Sequence, residues 1–319
     1  MTWPAVVCLG FQKCGTTTLY EILRQHPGVA LCRDVKEPMY FRVLGLNHIG
    51  GGAYYEKRYF GHLKDDDPRM PVEVNAGLTF TACAEKVAKY YPADTKLVFM
   101  MSNPVDRSFS AYRYFLARGF LPDSAVDLDR REGHARGFDA YVHSVLADDE
   151  ARGEVMRKRL KYLVFSQSRY ATCIREYLRN FPVSQMHFVF FEEFVAESHA
   201  SMLGIYDFCG LDDADGIDYD VRGNCRREAT VSATKSNRMQ FMKGWCYGFH
   251  EFVAMGYWLP SFEKWFLGKY QDYRASTLVA DHDDSEMLPE TRELLEEYYA
   301  EEVRDLEAIV ARDLSGLWF

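Results

Sequence analysis

Hydrophobic positions along the chain occur in short continuous runs, each followed by a polar loop and then by a helix-spaced pattern. The runs at 5–9, 96–101 and 187–191 do not alternate, which is typical of strands buried on both faces of a sheet. After the first run, Leu19 and Leu23 recur at helical spacing. Strands that alternate with crossover helices predict an α/β fold with a central parallel β-sheet flanked by helices.

Weaker patterns complete this prediction. The runs 29–32 and 72–76 predict two further short strands, and 289–310 predicts an amphipathic helix with glutamates on its outer face. The charged segment 117–160 and the aromatic segment 240–275 fit neither pattern. We expect both to be insertions or a lid over a binding site.

Aromatic residues are concentrated in the second of these segments. They predict a helical subdomain packed over the core or, alternatively, the wall of a binding pocket. These residues are Phe241, Trp245, Tyr247, Phe249, Phe252, Tyr257, Trp258, Phe262, Trp265, Phe266 and Tyr270.

Composition limits the class of protein. Of the 319 residues, 48% are hydrophobic, which is enough for a large core. No run of about 18 apolar residues exists, and the first residues lack a leader pattern. We therefore expect a soluble, cytoplasmic protein without a membrane span. A lumenal catalytic domain with its anchor removed would look the same. Oligomeric state is not indicated.

The net charge of −9 limits the partners. Proteins that grip long polyanions carry basic stripes, so nucleic acid and highly sulfated glycans are not expected to bind.

The eight cysteines contain no Cys-x-x-Cys pair and no metal-ligand spacing. We expect free thiols and no metal site. A disulfide between two of Cys209, Cys225 and Cys246 stays open.

The segment 10–18, here called the anion loop, carries the strongest chemical signal. It runs from Gly10 at a strand end to Gly15 and enters a helix at the threonines. Backbone N–H groups from Lys13 to Thr18 would point into one concavity, and the helix dipole adds positive potential there. Lys13 adds a full charge. The pattern predicts a phosphate or sulfate site; the alternative is a plain strand-turn-helix with a solvated lysine.

The anion loop is not a Walker A loop, because Lys13 precedes Gly15 instead of following the last glycine. Lys-x-Gly-Thr-Thr resembles the 5′-phosphosulfate loop of sulfotransferases that use 3′-phosphoadenosine 5′-phosphosulfate (PAPS). The resemblance implies the P-loop-NTPase-like sulfotransferase fold, with Lys13 as a catalytic cation. Its implied donor-binding residues are Gln12, Lys13, Cys14, Gly15, Thr16, Thr17 and Thr18.

Lys36-Glu37 follows the second predicted strand, where open α/β sheets place ligand-binding residues. The glycan-type branch of the same family has Lys-Glu-x-His-Phe-Phe there. The resemblance implies that Glu37 is the catalytic base; a surface Lys-Glu pair is the alternative. The family's histidine is Met39 here. Glu73 and Asn75, at a place where the family has Glu-Lys-Ser-Pro, are weaker site candidates. The alternative is that they belong to a capped edge strand.

Residues 102–112 resemble the family's 3′-phosphate motif, Arg-Asn-Pro-x-x-Arg-x-x-Ser-x-Tyr, in all but its first residue. That arginine, which binds the 3′-phosphate, is Ser102 in this chain. The resemblance implies that Ser110 keeps its role. Further residues that could supply donor contacts or compensating charge are Ser102, Arg107, Arg226, Arg227, Lys235 and Arg238.

Together these features predict a single sulfotransferase domain over 1–319. It would transfer a sulfuryl group from PAPS, releasing PAP, to a hydroxyl or amine of a small molecule or weakly charged glycan. The alternatives are an inactive PAPS- or PAP-binding homologue and, less favoured, a nucleotide-dependent kinase. We expect His134 and His143 to be surface residues.

Overall fold

A computed structural model describes most of the chain. The described residues are 2–38, 40–41, 51–64, 66–79, 83–117, 121, 123–152, 163–221, 229–231, 278–280 and 286–319. The aromatic segment 240–275, Met39, Lys235 and Arg238 lie outside them.

Five strands form one parallel sheet in the order β2-β3-β1-β4-β5. They are β1 Val6–Gly10, β2 Val29–Leu31, β3 Met70–Val74, β4 Lys96–Met101 and β5 Met186–Phe190. In the register, Val6 pairs with Val72 of β3 and with Lys96 of β4. The predicted central parallel sheet is confirmed.

Helices alternate with the strands along the chain. They are α1 Thr16–Leu23, α2 Gly51–Tyr55, α3 Cys83–Tyr90, α4 Pro104–Ala117, α5 Asp123–Arg152, α6 Leu163–Ser166, α7 Tyr170–Leu178, α8 Phe191–Ala196, α9 Ser198–Cys209 and α10 Pro289–Val310. α2 continues into a π-helical turn, Glu56–Phe60, and 3₁₀ turns occupy Ala76–Thr79 and Val183–Gln185. Within the described ranges, every helix is too short or too polar to cross a bilayer.

The chain divides into two compact units, of which the first holds the sheet. It comprises Met1–Pro104, Arg169–Cys225 and Ala300–Phe319. Its core is built on the central strands: all residues of β1 are buried, and β4 is buried from Leu97 onwards. Strands covered on both faces need apolar residues at every position, which explains why their sequences do not alternate.

The second unit comprises Val105–Ser168 and Arg226–Tyr299. Its segment Asp123–Arg152 is helical except for a break at Gly133, where φ is 82°. Two more strands, β6 Ala229–Val231 and β7 Leu278–Ala280, form an antiparallel pair in it. The sequence pattern did not indicate this pair. Within the charged segment 117–160, the described residues 123–152 are helical apart from that break, and the role of the segment as an insertion or a lid stays a prediction.

Candidate functional site

Carboxyl ends of the parallel strands carry the predicted site residues of the sheet unit. β1 leads into the anion loop, the segment after β2 carries Lys36 and Glu37, and Ser102 follows β4. After β1 the chain forms β2 and β3 on one side of β1. It then crosses to the other side, where β4 and β5 lie. Open α/β sheets bind ligands at such a reversal of strand order, outside the carboxyl ends.

Two glycines shape the anion loop. A Cβ on Gly10 would lie 1.8 Å from the Thr16 methyl group, and a Cβ on Gly15 would lie 2.5 Å from the Phe191 ring. Gly15 also has a φ of 85°, in the left-handed region, and occupies the N-cap of α1. Since glycine has no capping side chain, the first-turn N–H groups of α1 face the loop without a side-chain cap from that position.

Lys13 has an unusual backbone for a non-glycine residue. Its φ is 74°, in the left-handed region, and its side chain is half-buried. For an L-residue with a Cβ this conformation costs about 1–2 kcal/mol. Strained backbone of this kind is concentrated at ligand sites, and alternating helical and left-handed residues form anion-binding concavities.

Lys36 brings a second ammonium group to the anion loop. Its Nζ donates to Thr16 Oγ1 at 3.0 Å, to Thr17 Oγ1 at 3.4 Å and to Glu37 Oε1 at 3.1 Å. The side chains of Lys36 and Glu37 are 22% and 35% exposed. From the sequence pattern, Lys36 is identifiable only as the neighbour of Glu37. Its motif position at the end of the second strand was the available signal.

Glu73 and Asn75 lie beneath the segment that carries Glu37, and both are 1% exposed. The Asn75 side-chain amide donates to Pro38 O at 2.8 Å and to Glu73 Oε1 at 2.7 Å. Glu73 also accepts hydrogen bonds from the hydroxyls of Tyr55 and Tyr91. Burial raises the pKa of the Glu73 carboxyl, and these hydrogen bonds oppose the shift. The two residues therefore support the site from within the core.

Ser102 is buried beneath the anion loop and is 4% exposed. Its Oγ lies 3.3 Å from Cys14 Sγ, and its carbonyl accepts a hydrogen bond from Tyr170 OH at 2.9 Å. The next residue, Asn103, donates its backbone N–H to Glu192 Oε1 at 2.7 Å. Ser102 and Cys14 thus join the anion loop to the end of β4.

Arg107 and Ser110 belong to α4 in the second unit. The Arg107 guanidinium is 1% exposed and donates to Val164 O at 2.8 Å and to Ser168 Oγ at 3.0 Å. Ser110 is half-buried. Arg107 therefore links α4 to the segment around Ser168, a buried contact that the sequence did not predict.

The expectation that His134 is a surface residue is wrong. His134 is 3% exposed, and its Nδ1 lies 2.8 Å from Asp129 Oδ1, while Asp129 also accepts a hydrogen bond from Tyr112 OH. Gly133, whose φ is 82°, interrupts the helix between Asp129 and His134, so regular helical spacing does not relate the two residues. His143 is 65% exposed, as expected.

Free thiols are confirmed for the described cysteines, which are Cys8, Cys14, Cys32, Cys83, Cys173 and Cys209. A disulfide to Cys209 is thereby excluded in this structure, while Cys225 and Cys246 lie outside the described residues. Across the described part of the chain, no group of three or more His, Cys, Asp or Glu side chains is placed to hold a metal ion.

Residues 4–246 match the sulfotransferase domain family. The chain is a member of that family. The matched range includes the anion loop, Glu37 and the segment around Ser102, which are the residues that resemble sulfotransferase motifs.

Relatives of this sulfotransferase chain include heparan sulfate glucosamine 3-O-sulfotransferase 3B1 of Mus musculus. It is 26% identical over 208 residues, which are 65% of this chain and 46% of the relative. Heparan sulfate glucosamine 3-O-sulfotransferase 6 of Homo sapiens is 27% identical over 211 residues, 66% of this chain and 53% of the relative. The chain thus spans about half the length of the curated relatives it matches.

A solved sulfotransferase from Alicyclobacillus acidocaldarius shares the fold. It superposes with a TM-score of 0.58 at 22% identity, over 99% of both chains. The predicted sulfotransferase fold is therefore confirmed.

Proposed function

We propose that this chain is a PAPS-dependent sulfotransferase that transfers a sulfuryl group to a hydroxyl or amine of a small molecule or weakly charged glycan. The observation that carries the proposal is the meeting of the anion loop, the Lys36 ammonium and the Glu37 carboxylate. Membership of the sulfotransferase domain family supports it.

The residues at the anion loop fit a phosphosulfate group. Gly10 and Gly15 lack a Cβ that would collide with the Thr16 methyl group and the Phe191 ring, so the loop can pack tightly and direct its backbone N–H groups towards an anion. Lys13 contributes an ammonium group, and Thr16, Thr17 and Thr18 contribute hydroxyl donors. A donor set of amides, hydroxyls and ammonium groups suits an anion with several oxygen acceptors.

Each residue then has a distinct task. When bound, PAPS would supply the activated sulfuryl group, whose bond to the phosphate oxygen breaks as the bond to the acceptor oxygen or nitrogen forms. Lys13 stabilises the charge on the phosphate oxygen; unit charges about 4 Å apart interact by roughly 4 kcal/mol at an effective dielectric constant of 20. Glu37 accepts the proton that the acceptor loses.

Recognition of the 3′-phosphate requires a second set of donors and cations. Ser102, Arg107, Ser110, Lys235 and Arg238 are the proposed contributors. Since Ser102 stands where the family has arginine and its hydroxyl lies against Cys14, we expect other cations to provide most of the 3′-phosphate contact.

The acceptor is proposed from charge. The relatives named above act, by their names, on heparan sulfate glucosamine. A net charge of −9 disfavours association of this chain with a long polyanion. We therefore favour a small or weakly charged acceptor. Cytoplasmic location stays a prediction, as does its alternative, a lumenal catalytic domain.

An inactive PAP-binding homologue is the second candidate, because Ser102 and Met39 depart from the family motifs. The retained Lys13 and Glu37 argue for activity. A nucleotide-dependent kinase is disfavoured by the position of Lys13 relative to Gly15.

Calorimetric titration with adenosine 3′,5′-bisphosphate (PAP) tests the donor assignment. We expect saturable binding, and a parallel titration with AMP measures the contribution of the 3′-phosphate. Absence of PAP binding at millimolar concentration would remove the PAPS assignment.

Mass spectrometry of an acceptor panel, incubated with PAPS, then tests turnover. The panel includes phenols, amines, neutral glycans and heparan sulfate, and a product heavier by one sulfuryl group identifies the class. Tight PAP binding without any such product would favour the inactive homologue.

A further inference from the structure

Lys36 occupies the junction between the anion loop and the proposed base. Its ammonium group donates to Thr16 Oγ1, Thr17 Oγ1 and Glu37 Oε1 at 3.0, 3.4 and 3.1 Å. These contacts place one ammonium group between the first turn of α1 and the Glu37 carboxylate.

The backbone on both sides fixes this position. Before Lys36, Arg33 N donates to Tyr59 O at 2.8 Å; after it, Pro38 O accepts the Asn75 amide at 2.8 Å. Asp34 between them has a φ of 63°, which turns the chain sharply after β2. The segment is thus held at two points, and Lys36 projects from between them.

The partners of Lys36 give its position a chemical meaning. Thr16 and Thr17 are the first two residues of α1, whose N-terminal N–H groups favour an anion. An ammonium bonded to both hydroxyls therefore adds a full positive charge where that anion would lie. The same ammonium reaches Glu37, so one side chain touches both halves of the proposed reaction.

We infer that Lys36 is the second cation of the anion loop: it binds the donor's 5′ anion together with Lys13 and fixes the Glu37 carboxylate beside it. This inference rests on the proposed function and adds a donor-binding and positioning residue to it. Through Thr16 and Thr17, Lys36 contributes to donor affinity. By donating to Glu37 Oε1, it orients the carboxylate that accepts the proton.

A purely structural ion pair is the competing explanation. Lys36 and Glu37 are adjacent in sequence and both partly exposed, and such pairs contribute little to stability. A purely structural role would leave donor affinity unchanged. Donor affinity is therefore the quantity that separates the two explanations.

The experiment compares Lys36→Met, which keeps the length and removes the charge, with Lys36→Arg, which keeps the charge. Lys96→Met is the matched control, because the partly buried Lys96 donates to two backbone carbonyls, Phe208 O and Cys209 O. It lies at the first residue of β4, the opposite end of that strand from Ser102. PAP affinity is measured by calorimetry and folding by thermal melts.

We expect Lys36→Met to raise the Kd for PAP at least tenfold and Lys36→Arg to restore it to within threefold of wild type. PAP binding by Lys36→Met should also depend less steeply on salt, because one charge contact is lost. Lys96→Met should lower the melting temperature and leave PAP binding as in the wild type.

Unchanged PAP affinity in Lys36→Met, with wild-type PAP binding intact, would overturn the inference and leave the proposed function standing. Failure of the wild-type chain to bind PAP would instead remove the proposed function, and the inference with it. The two failures are therefore distinguishable.

Discussion

The side-chain amide of Asn75, at the end of β3, donates a hydrogen bond to the carbonyl of Pro38 at 2.8 Å. Pro38 directly follows Glu37, so β3 holds the segment that carries the proposed base. The same amide donates to Glu73 Oε1 at 2.7 Å, and Asn75 Oδ1 accepts the Gly77 N–H at 2.9 Å. One buried side chain thus fixes the proposed base relative to the sheet.

Asn75→Ala should lower turnover more than it changes PAP affinity. The substitution leaves the Pro38 carbonyl and Glu73 Oε1 without this donor, which costs about 1–3 kcal/mol of unfolding free energy. Glu37 then loses its fixed position, while the anion loop keeps its contacts. Steady-state kinetics and PAP calorimetry check the split. Asn180→Ala, at an exposed asparagine, is the control and should change neither.

Gly15→Ala should destabilise the protein and weaken PAP binding. The left-handed φ of 85° at Gly15 costs an alanine about 1–2 kcal/mol, and the Phe191 ring lies 2.5 Å from the new Cβ. Gly204→Ala is the matched control, since the nearest atom to its Cβ is 3.8 Å away and it lies within α9. That control should be neutral or stabilising by about 0.5–1 kcal/mol. A Gly15→Ala variant with wild-type stability and affinity would contradict this account of the loop.

The sheet could be predicted from sequence because strands buried on both faces have continuous apolar sequences. β4 consists of Lys96 followed by five apolar residues, and all five are buried. β6 and β7 have no such long apolar run. Each has three residues, and their pairing joins Val231 to Leu278 across a long stretch of chain. Pairing of short strands distant in sequence is set by tertiary contacts, which periodicity does not report.

The candidate site could be predicted only where one motif carried the chemistry. Lys13 and Thr16 lie in one continuous loop, so their proximity follows from chain connectivity. Lys36 meets Thr16 through the order of β2, β3 and β1, which the sequence does not specify. The contact between buried His134 and Asp129 could not be predicted for a similar reason. The two residues are five positions apart, and the left-handed Gly133 lies between them, so they do not share a regular helical face.

Glu37→Gln should reduce turnover by about 10²–10⁴-fold, the range for loss of a general base. PAP affinity should stay within threefold of wild type, because the amide keeps the volume of the carboxylate and an oxygen for Lys36. Glu21→Gln on α1 is the control; it removes a carboxylate paired with Arg24 and should leave turnover unchanged. Near-normal turnover of Glu37→Gln would place the base elsewhere.

The free energy of unfolding should depend on pH through buried Glu73. The sign should be opposite to that of a surface carboxylate whose pKa is lowered by an ion pair. Burial raises the pKa of Glu73, so ionisation disfavours the folded state more than the unfolded state. Its favourable contribution is complete below the unfolded-state pKa of about 4.3 and is lost as pH rises through the folded-state pKa. The slope for one proton is at most about 1.4 kcal/mol per pH unit.

Glu73→Gln should remove that slope, so its melting temperature should improve relative to wild type as pH rises from 5 to 8. Its absolute stability should fall at low pH, because the amide cannot accept from Tyr55, Tyr91 and Asn75 together. Glu193→Gln is the opposite-sign control. The hydrogen bond from Arg312 lowers the pKa of Glu193, so stability from this pair is present above the unfolded-state pKa and is lost as pH falls. Thermal melts of both variants across pH 3 to 8 measure the two slopes. If the melting temperatures of Glu73→Gln and wild type changed in parallel above pH 5, Glu73 would not titrate as its burial requires.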